Sequence, residues 1–275
     1  MKVRVAIVGA GITGLATGAW LEHDHGIDDC VILEASSRAG GKMRSEIDAG
    51  FTLEWGPQGF LDNAPDTLEL SSILGLDNAL VRADEGSADR FILREGKLRR
   101  VATSPPAFMF SDILPLSGRL RLLGEPFARP HPGHDETVFD FARRRIGRQA
   151  AEVLVDAMVT GVFAGDSRNL SLAATFPKMA AMEAEHGSLT RALFAKRREA
   201  RSAGSRSAGP AGPGGTLTTF SSGMVQLTDR LAQSAGNRLL LKRPLQTLER
   251  QGSTNILNTE EGVLEAETVL LALPA

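Results

Sequence analysis

Four residues near the N-terminus have the types and the spacing that bind a phosphate and a ribose. Gly9, Gly11 and Gly14 form a G-x-G-x-x-G motif, and Glu34 follows Gly14 at a distance of twenty positions. Such glycines permit a tight turn, a close approach of the backbone to a pyrophosphate, and close packing of a helix on a strand. A carboxylate at the position of Glu34 accepts hydrogen bonds from both ribose hydroxyls and repels a 2′-phosphate, which disfavours NADP. The pattern predicts a dinucleotide site, with a glycine-rich turn that binds nothing as the alternative.

The elements that must position these residues follow a β-α-β pattern. Residues 3–8 are an apolar, β-branched run of strand length that leads directly into the glycines. A helix is predicted from Ile12 to about His25, with an end near Gly26, and residues 30–34 have the pattern of the next strand. A pyrophosphate would then face the N-terminus of this helix, where unpaired N–H groups favour an anion.

Composition and charge exclude several classes of protein. The chain has 275 residues, enough for one large domain or two, and its formal net charge of −2 gives no electrostatic footprint for nucleic acid. It has no run of about 18 apolar residues that would span a membrane, and its N-terminal apolar residues favour a strand over a secretory signal. The single cysteine, Cys30, predicts a core position and a reducing compartment. No tyrosine is present, so a phenol cannot serve as acid or base.

A second glycine pair, Gly40-Gly41, lies close behind Glu34 with cations on both sides. Such a pair is often only a solvated turn. Its position directly after the predicted ribose-binding acid favours a flexible backbone with Arg44 placed against phosphate. Residues 51–61 then form a short alternating strand that runs into a Gly-Pro turn between aromatic residues, which by itself indicates only a tight turn with apolar packing.

The central part of the chain is predicted to be largely helical, after a hairpin around Glu95-Gly96. The predicted helices after the hairpin cover residues 135–145 with Asp135 or Thr137 as N-cap, residues 148–160 with Leu154, Val155, Met158 and Val159 inward, and a further helix that begins near residues 169–172. A separate helix is predicted before the hairpin, over residues 62–75. The hairpin strands are residues 90–93 and 97–101. This alternation of element types predicts a helical block that differs from the N-terminal β-α-β unit.

Three segments of the central block allow more than one interpretation. Residues 107–127 are rich in apolar side chains, for which core packing is the default, and a cover over an apolar cavity or a contact with a membrane surface are the alternatives. Residues 161–166 form a predicted glycine-bracketed loop that suits a flat ligand or a simple turn. His131 and His134 lie in a proline-glycine loop with no third ligand in the pattern, so no metal site is predicted.

The C-terminal part is predicted to be a β-meander that follows a linker. Residues 202–215 are rich in Ser, Gly, Ala and Pro, the composition of a linker. The predicted short strands beyond it are residues 239–241, 245–250, 254–258, 263–266 and 268–273. No internal repeat is visible in the sequence.

These motifs, taken in order, resemble the protoporphyrinogen oxidases, flavoenzymes of haem synthesis related to amine oxidases and phytoene desaturases. The first glycine motif, Glu34 and residues 40–44 are similar to the FAD signature shared by that whole superfamily. Three further segments are more selective and resemble the porphyrinogen oxidases themselves: residues 54–61, residues 161–166 with 170–171, and residues 214–217 with 222–224. The resemblance extends over the chain from end to end.

The resemblance implies an α/β fold with a Rossmann-like FAD-binding domain and an inserted, largely helical substrate domain, incomplete at the C-terminus. The implied division is residues 1–89 and 215–275 for the two parts of the FAD-binding domain and residues 90–214 for the first part of the substrate domain. Family members continue from an Ala-x-Pro-Ala-like strand into the rest of the substrate domain and a glycine-rich segment that closes over the flavin. We therefore expect that residues 271–275 precede a part that this chain lacks.

The resemblance also implies which residues bind cofactor and substrate. Gly56 to Gly59 would lie along the isoalloxazine ring, Leu245 replaces a valine whose backbone meets the adenine, and Lys42 replaces an arginine or another bulky residue. Arg90 falls where the family has an arginine that meets a substrate propionate. The complete set implied for FAD is Gly9, Ala10, Gly11, Ile12, Thr13, Gly14, Glu34, Ala35, Gly41, Lys42, Arg44, Gly56, Pro57, Gln58, Gly59 and Leu245.

The implied reaction is the oxidation of protoporphyrinogen IX or coproporphyrinogen III to the porphyrin in haem biosynthesis. Flavin accepts hydride from the tetrapyrrole, and molecular oxygen reoxidises the flavin with release of hydrogen peroxide, so no protein residue is expected to be catalytic. The implied location is the cytoplasm, and a homodimer and a peripheral contact with the inner membrane both stay open. The alternatives are a non-catalytic FAD-binding remnant and another enzyme of the amine oxidase or phytoene desaturase type.

Overall fold

The chain divides into two units of internally connected structure. The computed structural model describes residues 1–63, 65–84, 86, 89–102, 105–131, 133–202 and 215–274. Unit 1 comprises Met1–Asp84 with Gly215–Ala275, and unit 2 comprises Glu85–Gly214. The roles assigned to these parts from the sequence stay predictions, and most of the predicted linker at 202–215 lies outside the described residues.

Unit 1 contains both strands and helices, and unit 2 is mostly helical. The helices are α1 Ile12–His25, α2 Pro65–Ile73, α3 Pro105–Met109, α4 Leu116–Leu123, α5 Val138–Ile146, α6 Arg148–Ala150, α7 Asp156–Phe163, α8 Leu172–Thr175, α9 Pro177–His186, α10 Leu189–Ser202 and α11 Val225–Ala235. The strands are β1 Lys2–Val8, β2 Cys30–Leu33, β3 Ser45–Asp48, β4 Phe51–Glu54, β5 Phe60–Leu61, β6 Leu80–Arg82, β7 Phe91–Arg94, β8 Lys97–Arg100, β9 Leu217–Phe220, β10 Leu239–Leu240, β11 Leu245–Gln251, β12 Thr254–Thr259 and β13 Gly262–Leu271.

The predicted β-α-β unit forms the centre of the main sheet in unit 1. This six-stranded sheet has the order β10-β2-β1-β13-β12-β11, and β1 is parallel to both β2 and β13. Every residue of β2 is buried, which explains its unbroken apolar sequence, because a parallel strand of this kind is covered on both faces. Helix α1 ends at His25, and its C-cap residue Gly26 has a φ of 60°, in the left-handed region. The predicted α/β fold class is confirmed in its central element.

The C-terminal meander differs from the prediction in two respects. Residues 263–266 and 268–273 were predicted to be separate strands, but Gly262–Leu271 is one strand that pairs antiparallel with β12 and then parallel with β1. The charged residue between them, Glu267, is exposed, so it does not interrupt the strand. Strand β10 is not part of the meander, since it pairs in parallel with β2.

One apolar core cluster of unit 1 lies between the main sheet and the helices α1 and α11. It buries Leu15, Ile32, Phe220 and Leu227 in one cluster. Cys30 belongs to the same cluster and is 2% exposed, as predicted, and burial raises the pKa of its thiol despite the opposing charge of Arg238. This thiol is a core side chain rather than a reactive nucleophile.

Two predictions about the helices of unit 2 are wrong. Residues 161–166 are not a loop throughout, because α7 continues to Phe163, and its C-cap residue Ala164 has a φ of 50°. Met158 was predicted to face inward but is 38% exposed, whereas Val159 is fully buried. The π-helical segment Ala151–Val155 explains the shift, since its wider turn rotates the helix face that follows. The hairpin β7–β8 and the Thr137 cap of α5 are confirmed.

Unit 2 buries a cluster of ion pairs, here called the ionic cluster: Glu125, Glu136, Arg144, Arg145 and Glu183. Arg145 is completely buried and donates from Nε to Glu125 at 2.9 Å and from Nη1 to Glu183 at 3.2 Å. Arg144 donates to Glu183 at 2.6 and 2.8 Å and also pairs with Glu136. Glu125 further accepts hydrogen bonds from Ser188 and from the N–H groups of Leu189 and Thr190, at the start of α10. These contacts tie α5, α9 and α10 together.

The described part of the chain contains no helix with both the length and the apolar character that a membrane crossing requires. The same residues contain no group of three or more His, Cys, Asp or Glu side chains arranged to hold a metal ion. His131 accepts a hydrogen bond from the N–H of Gly133, and His134 contacts the carbonyl of Asp135.

Candidate dinucleotide-binding site

Two glycine loops of unit 1 are in direct contact. The first glycine loop, residues 9–14, joins β1 to α1, and the second glycine loop, residues 39–43, follows β2. Gly11 and Gly40 form a parallel bridge, and the N–H of Gly40 donates to the carbonyl of Ala10 at 2.7 Å. A Cβ on Gly41 would lie 3.1 Å from the Cα of Gly11. The structure therefore joins two motifs that are separate in the sequence into one surface of backbone.

The three glycines of the first loop are required for different reasons. Gly9 has a φ of +106°, and a Cβ there would lie 2.5 Å from the carbonyl oxygen of Ala272. A Cβ on Gly14 would lie 1.9 Å from the carbonyl oxygen of Gly9. Packing within the protein thus demands glycine at both positions. Gly11 differs, because its φ is −72° and a Cβ there would have no atom within 4 Å. Glycine at this position leaves the backbone open to a ligand.

The N-terminus of α1 is suited to an anion. Gly11 is its N-cap, no side chain caps it, and no acidic residue lies in its first turn. The first N–H groups of a helix have no partner within the helix, and the helix dipole adds a partial positive charge there. This observation fits the pyrophosphate of a dinucleotide, which the open backbone at Gly11 would meet.

Glu34 lies where the predicted ribose contact requires a carboxylate. Its Oε2 accepts the N–H of Ala10 at 2.8 Å, and its Oε1 accepts the N–H of Ser36 at 2.9 Å. Burial alone would raise the pKa of this carboxyl, but the hydrogen bonds from Ser36 and Ala10, together with the charge of Arg38, outweigh burial and hold the pKa below its usual value. Because a carboxylate has about four acceptor sites, each oxygen can still accept one ribose hydroxyl.

The chain segment before β11 lies beside Glu34. The N–H of Glu34 donates to Leu240, and the N–H of Arg243 donates to the carbonyl of Glu34 at 2.8 Å. Leu245 packs against the buried cluster that contains Leu33 and Val8. The predicted adenine-contacting residue thus adjoins the end of β2, and its contact with adenine stays a prediction.

The Gly-Pro segment, residues 56–59, lies against the second glycine loop and against β9. A Cβ on Gly56 would lie 2.1 Å from the carbonyl oxygen of Lys42, and one on Gly59 would lie 2.6 Å from that of Thr218. Pro57 and Gln58 are exposed, and Gln58 lines a cavity of about 580 Å³. Packing accounts for both glycines, so their contact with an isoalloxazine ring stays a prediction.

The other residues predicted to bind the cofactor differ in their surroundings. The side chain of Ala10 is buried and that of Ile12 packs on the core of unit 1, whereas Thr13, Ala35 and Lys42 are solvent-exposed. Arg44 lies over the ring of Trp55, 4.7 Å from its centroid. Arg90 is in unit 2, where its carbonyl accepts the N–H of Val101, and its role toward a substrate stays a prediction.

Sequence reasoning missed two sets of supporting residues. Arg38 donates three hydrogen bonds to carbonyls of the second glycine loop. Glu54 accepts the N–H of Met224 at 2.8 Å, and Ser45 accepts that of Val225 at 3.0 Å, so β3 and β4 cap the N-terminus of α11. The cations around Gly40-Gly41 gave a signal for Arg38, but the capping contacts join residues more than a hundred positions apart and have no local signature.

Comparison with known proteins gives relatives along nearly the whole chain. The chain is 34% identical to the chloroplastic protoporphyrinogen oxidase of Oryza sativa subsp. japonica, covering 98% of this chain and 52% of that protein. It is 29% identical to the coproporphyrinogen III oxidase of Bacillus subtilis, and the match covers 99% of this chain and 60% of that protein. A crystal structure from Exiguobacterium sp. 255-15, provisionally assigned as a protoporphyrinogen oxidase, matches with a TM-score of 0.76 and 27% identity, covering 99% and 59%. The chain thus spans about half the length of these relatives.

The family comparison agrees with the resemblance predicted from the sequence. Residues 12–275 match the family described as flavin containing amine oxidoreductase. This match confirms the predictions of a flavin oxidoreductase fold and of FAD as the cofactor. By this match the chain belongs to the flavin-containing amine oxidoreductase family.

Proposed function

We propose that unit 1 holds FAD across the two glycine loops and that the protein oxidises a porphyrinogen in haem biosynthesis. The observation that carries the FAD site is Gly11, the glycine of the motif that internal packing does not require. It lies at the uncapped N-terminus of α1, next to the second glycine loop and to the N–H that holds Glu34. An open backbone, a helix N-terminus and a ribose-binding acid are the three parts that a dinucleotide needs.

In this proposal the residues of unit 1 bind and orient the cofactor. The first glycine loop and the second glycine loop, with Lys42 and Arg44, take the pyrophosphate, Glu34 takes the ribose hydroxyls, and Leu245 takes the adenine. The Gly-Pro segment adjoins the ring. FAD, when bound, supplies the hydride acceptance that porphyrinogen oxidation requires, with molecular oxygen as the final oxidant. The protein residues need only bind, orient and exclude water, so the proposed reaction requires no catalytic acid–base pair.

The substrate class is proposed from the names of the relatives, which act on protoporphyrinogen or coproporphyrinogen III. We place this reaction in the cytoplasm, with hydrogen peroxide as the second product. Arg90 is the proposed contact for a propionate of the tetrapyrrole. The activity, substrate and location are proposed for the whole protein, because this chain spans about half the length of its relatives.

The test is a pair of measurements on the purified chain. FAD titrated into the chain should bind with the stoichiometry of one site, seen as a shift in the flavin absorption spectrum. Porphyrinogen should then be converted to fluorescent porphyrin in the presence of oxygen, and peroxide should form in step. Bound FAD without porphyrin would support the FAD site and contradict the oxidase activity of this chain, whereas the absence of bound FAD would contradict both.

The ribose assignment has its own test. AMP should bind more tightly than 2′-deoxy-AMP, and Glu34→Ala should abolish this preference, because a hydrogen bond to a charged group contributes about 1.5–3 kcal/mol. The ratio of the two affinities is informative even if Glu34→Ala lowers stability by freeing the N–H groups of Ala10 and Ser36. An unchanged ratio in the variant would contradict the assignment.

A further inference from the structure

Arg38 directly precedes the second glycine loop and binds three of its backbone carbonyls. Its Nη1 donates to the carbonyls of Ala39 at 2.9 Å and Met43 at 3.0 Å, and its Nη2 donates to that of Gly41 at 2.6 Å. One planar guanidinium therefore gathers three carbonyl oxygens from a loop of five residues. A guanidinium presents its donors in a fixed fork, which a lysine ammonium cannot reproduce.

The second glycine loop has a backbone conformation that places its carbonyls around the guanidinium of Arg38. Gly40 and Gly41 have φ of +101° and +56°, and a Cβ on Gly40 would lie 3.0 Å from Nη1 of Arg38. The N–H of Gly40 is used by the carbonyl of Ala10. The next two N–H groups, those of Gly41 and Lys42, have no acceptor among the described residues. Successive unpaired N–H groups after left-handed residues form a concavity that binds anions.

We propose that Arg38 is a positioning residue for the pyrophosphate of FAD, acting through the backbone rather than by touching phosphate. By binding the three carbonyl oxygens, Arg38 turns the negative ends of those peptide dipoles away from the ligand. The carbonyl of Gly41 shares its peptide with the N–H of Lys42, so the bond from Arg38 leaves that N–H available to an anion. The N–H of Gly41 shares its peptide with the carbonyl of Gly40, which accepts the N–H of Met43 within the same loop. This inference rests on the proposed FAD site and deepens it, since it explains why the second glycine loop offers donors and not acceptors to an anion.

The local hydrogen bonds connect Arg38 to the ribose site as well. Ser36 donates from Oγ to the carbonyl of Arg38 at 2.6 Å, and the N–H of Ser36 is bound by Glu34 at 2.9 Å. The contact with Ser36 uses the backbone carbonyl of Arg38, so truncation of the Arg38 side chain removes the three loop contacts while the hydrogen bonds of Glu34 stay in place. A merely structural role for Arg38 would weaken the ribose and phosphate contacts alike.

The experiment compares ADP with adenosine as probes of the purified chain. Wild-type protein should bind ADP well above adenosine, because only ADP carries the diphosphate. Arg38→Ala should lower ADP affinity by about tenfold, on the order of 1.4 kcal/mol, and leave adenosine affinity unchanged. Arg38→Lys keeps the charge but not the fork, so we expect it to fall close to Arg38→Ala. Arg250→Ala is the matched control, because Arg250 is an arginine of unit 1 that donates to one carbonyl, that of Gly252.

The outcomes separate the inference from the proposed function. A wild-type chain that binds neither ADP nor FAD overturns both. A wild-type chain that binds ADP, with Arg38→Lys at wild-type affinity, overturns the backbone role and assigns Arg38 a simple charge effect. Equal losses for ADP and adenosine overturn it in favour of a structural role. If Arg38→Ala does not fold, Arg38→Lys alone decides, since only a selective loss of ADP affinity supports the inference.

Discussion

The two units differ in whether their polar groups have partners within the protein. In unit 2 the ionic cluster satisfies buried charges with each other, and Arg145 has no exposed surface. In unit 1 the first glycine loop leaves a helix N-terminus uncapped, and Gly11 has no neighbour where a side chain would be. A buried charge without a partner is costly, so the ionic cluster is closed by necessity. Unpaired backbone N–H groups at a surface are tolerated because water accepts their hydrogen bonds until a ligand binds.

This difference indicates where binding and where stability originate. Residues whose contacts are complete within the protein should affect folding when changed, and residues whose contacts are incomplete should affect binding. Both kinds occur within a single motif, since Gly14 is fully packed and Gly11 is open. The two tryptophans, Trp20 and Trp55, both lie in unit 1, so their fluorescence follows that unit, while far-ultraviolet circular dichroism also follows the helices of unit 2.

The largest effect is expected for Gly14→Ala. The added Cβ would lie 1.9 Å from the carbonyl oxygen of Gly9, a backbone atom that cannot rotate aside. We expect unit 1 to lose its fold, seen as tryptophan fluorescence typical of the unfolded chain without denaturant. Native fluorescence and an ordinary unfolding midpoint would show that α1 can move away from β1, contrary to this account.

A large effect confined to unit 2 is expected for Arg145→Met. The change leaves Glu125 and Glu183 buried without the partner that they share, which typically costs about 3–5 kcal/mol. Urea unfolding followed by circular dichroism should show the loss, and FAD affinity should not change. Arg148→Met is the control, because Arg148 forms an exposed pair with Glu152 and should leave the midpoint nearly unchanged. Similar midpoints for the two variants would contradict a closed ionic cluster.

A smaller effect is expected from acid. Burial opposes the charge of Glu125, but hydrogen bonds from Thr190, Ser188 and Arg145 lower its pKa from 4.5 to about 2. Because the folded pKa lies below the unfolded value, the stabilisation is fully present above pH 4.5 and is lost as pH falls toward about 2. As the pH is lowered through this range, the midpoint of urea unfolding should decrease in wild type and decrease less steeply in Glu125→Gln. Parallel curves would assign the acid sensitivity to other groups.

Local patterns predicted the parts of the fold that local physics determines. The β-α-β unit, the buried Cys30 and the Thr137 cap follow from hydrophobic period and capping chemistry, and the structure confirms them. The single strand β13 was not predicted, because pairing with both β12 and β1 carries it past Glu267. The extension of α7 through Gly161 was missed since a helix tolerates a glycine when tertiary packing supports it.

The candidate site was predictable as a set of residues and not as a geometry. The sequence pointed to both glycine loops and to Glu34, but their contact depends on the bond from Gly40 to Ala10. The capping of α11 by Glu54 and Ser45 depends on residues on either side of unit 2 in the chain. Contacts of such long range have no periodic signature, so only the folded chain reveals them.

If glycine at position 11 leaves the backbone open for FAD, Gly11→Ala should weaken FAD binding without unfolding the protein. The effect of this substitution on folding should be the smallest of all, because a Cβ there has no neighbour within 4 Å and φ is an ordinary −72°. The measurement is FAD affinity by titration, with the urea midpoint recorded for the same samples. We predict an unchanged midpoint and an affinity lower by about tenfold or more. Wild-type FAD affinity in Gly11→Ala would show that FAD does not approach the backbone at Gly11.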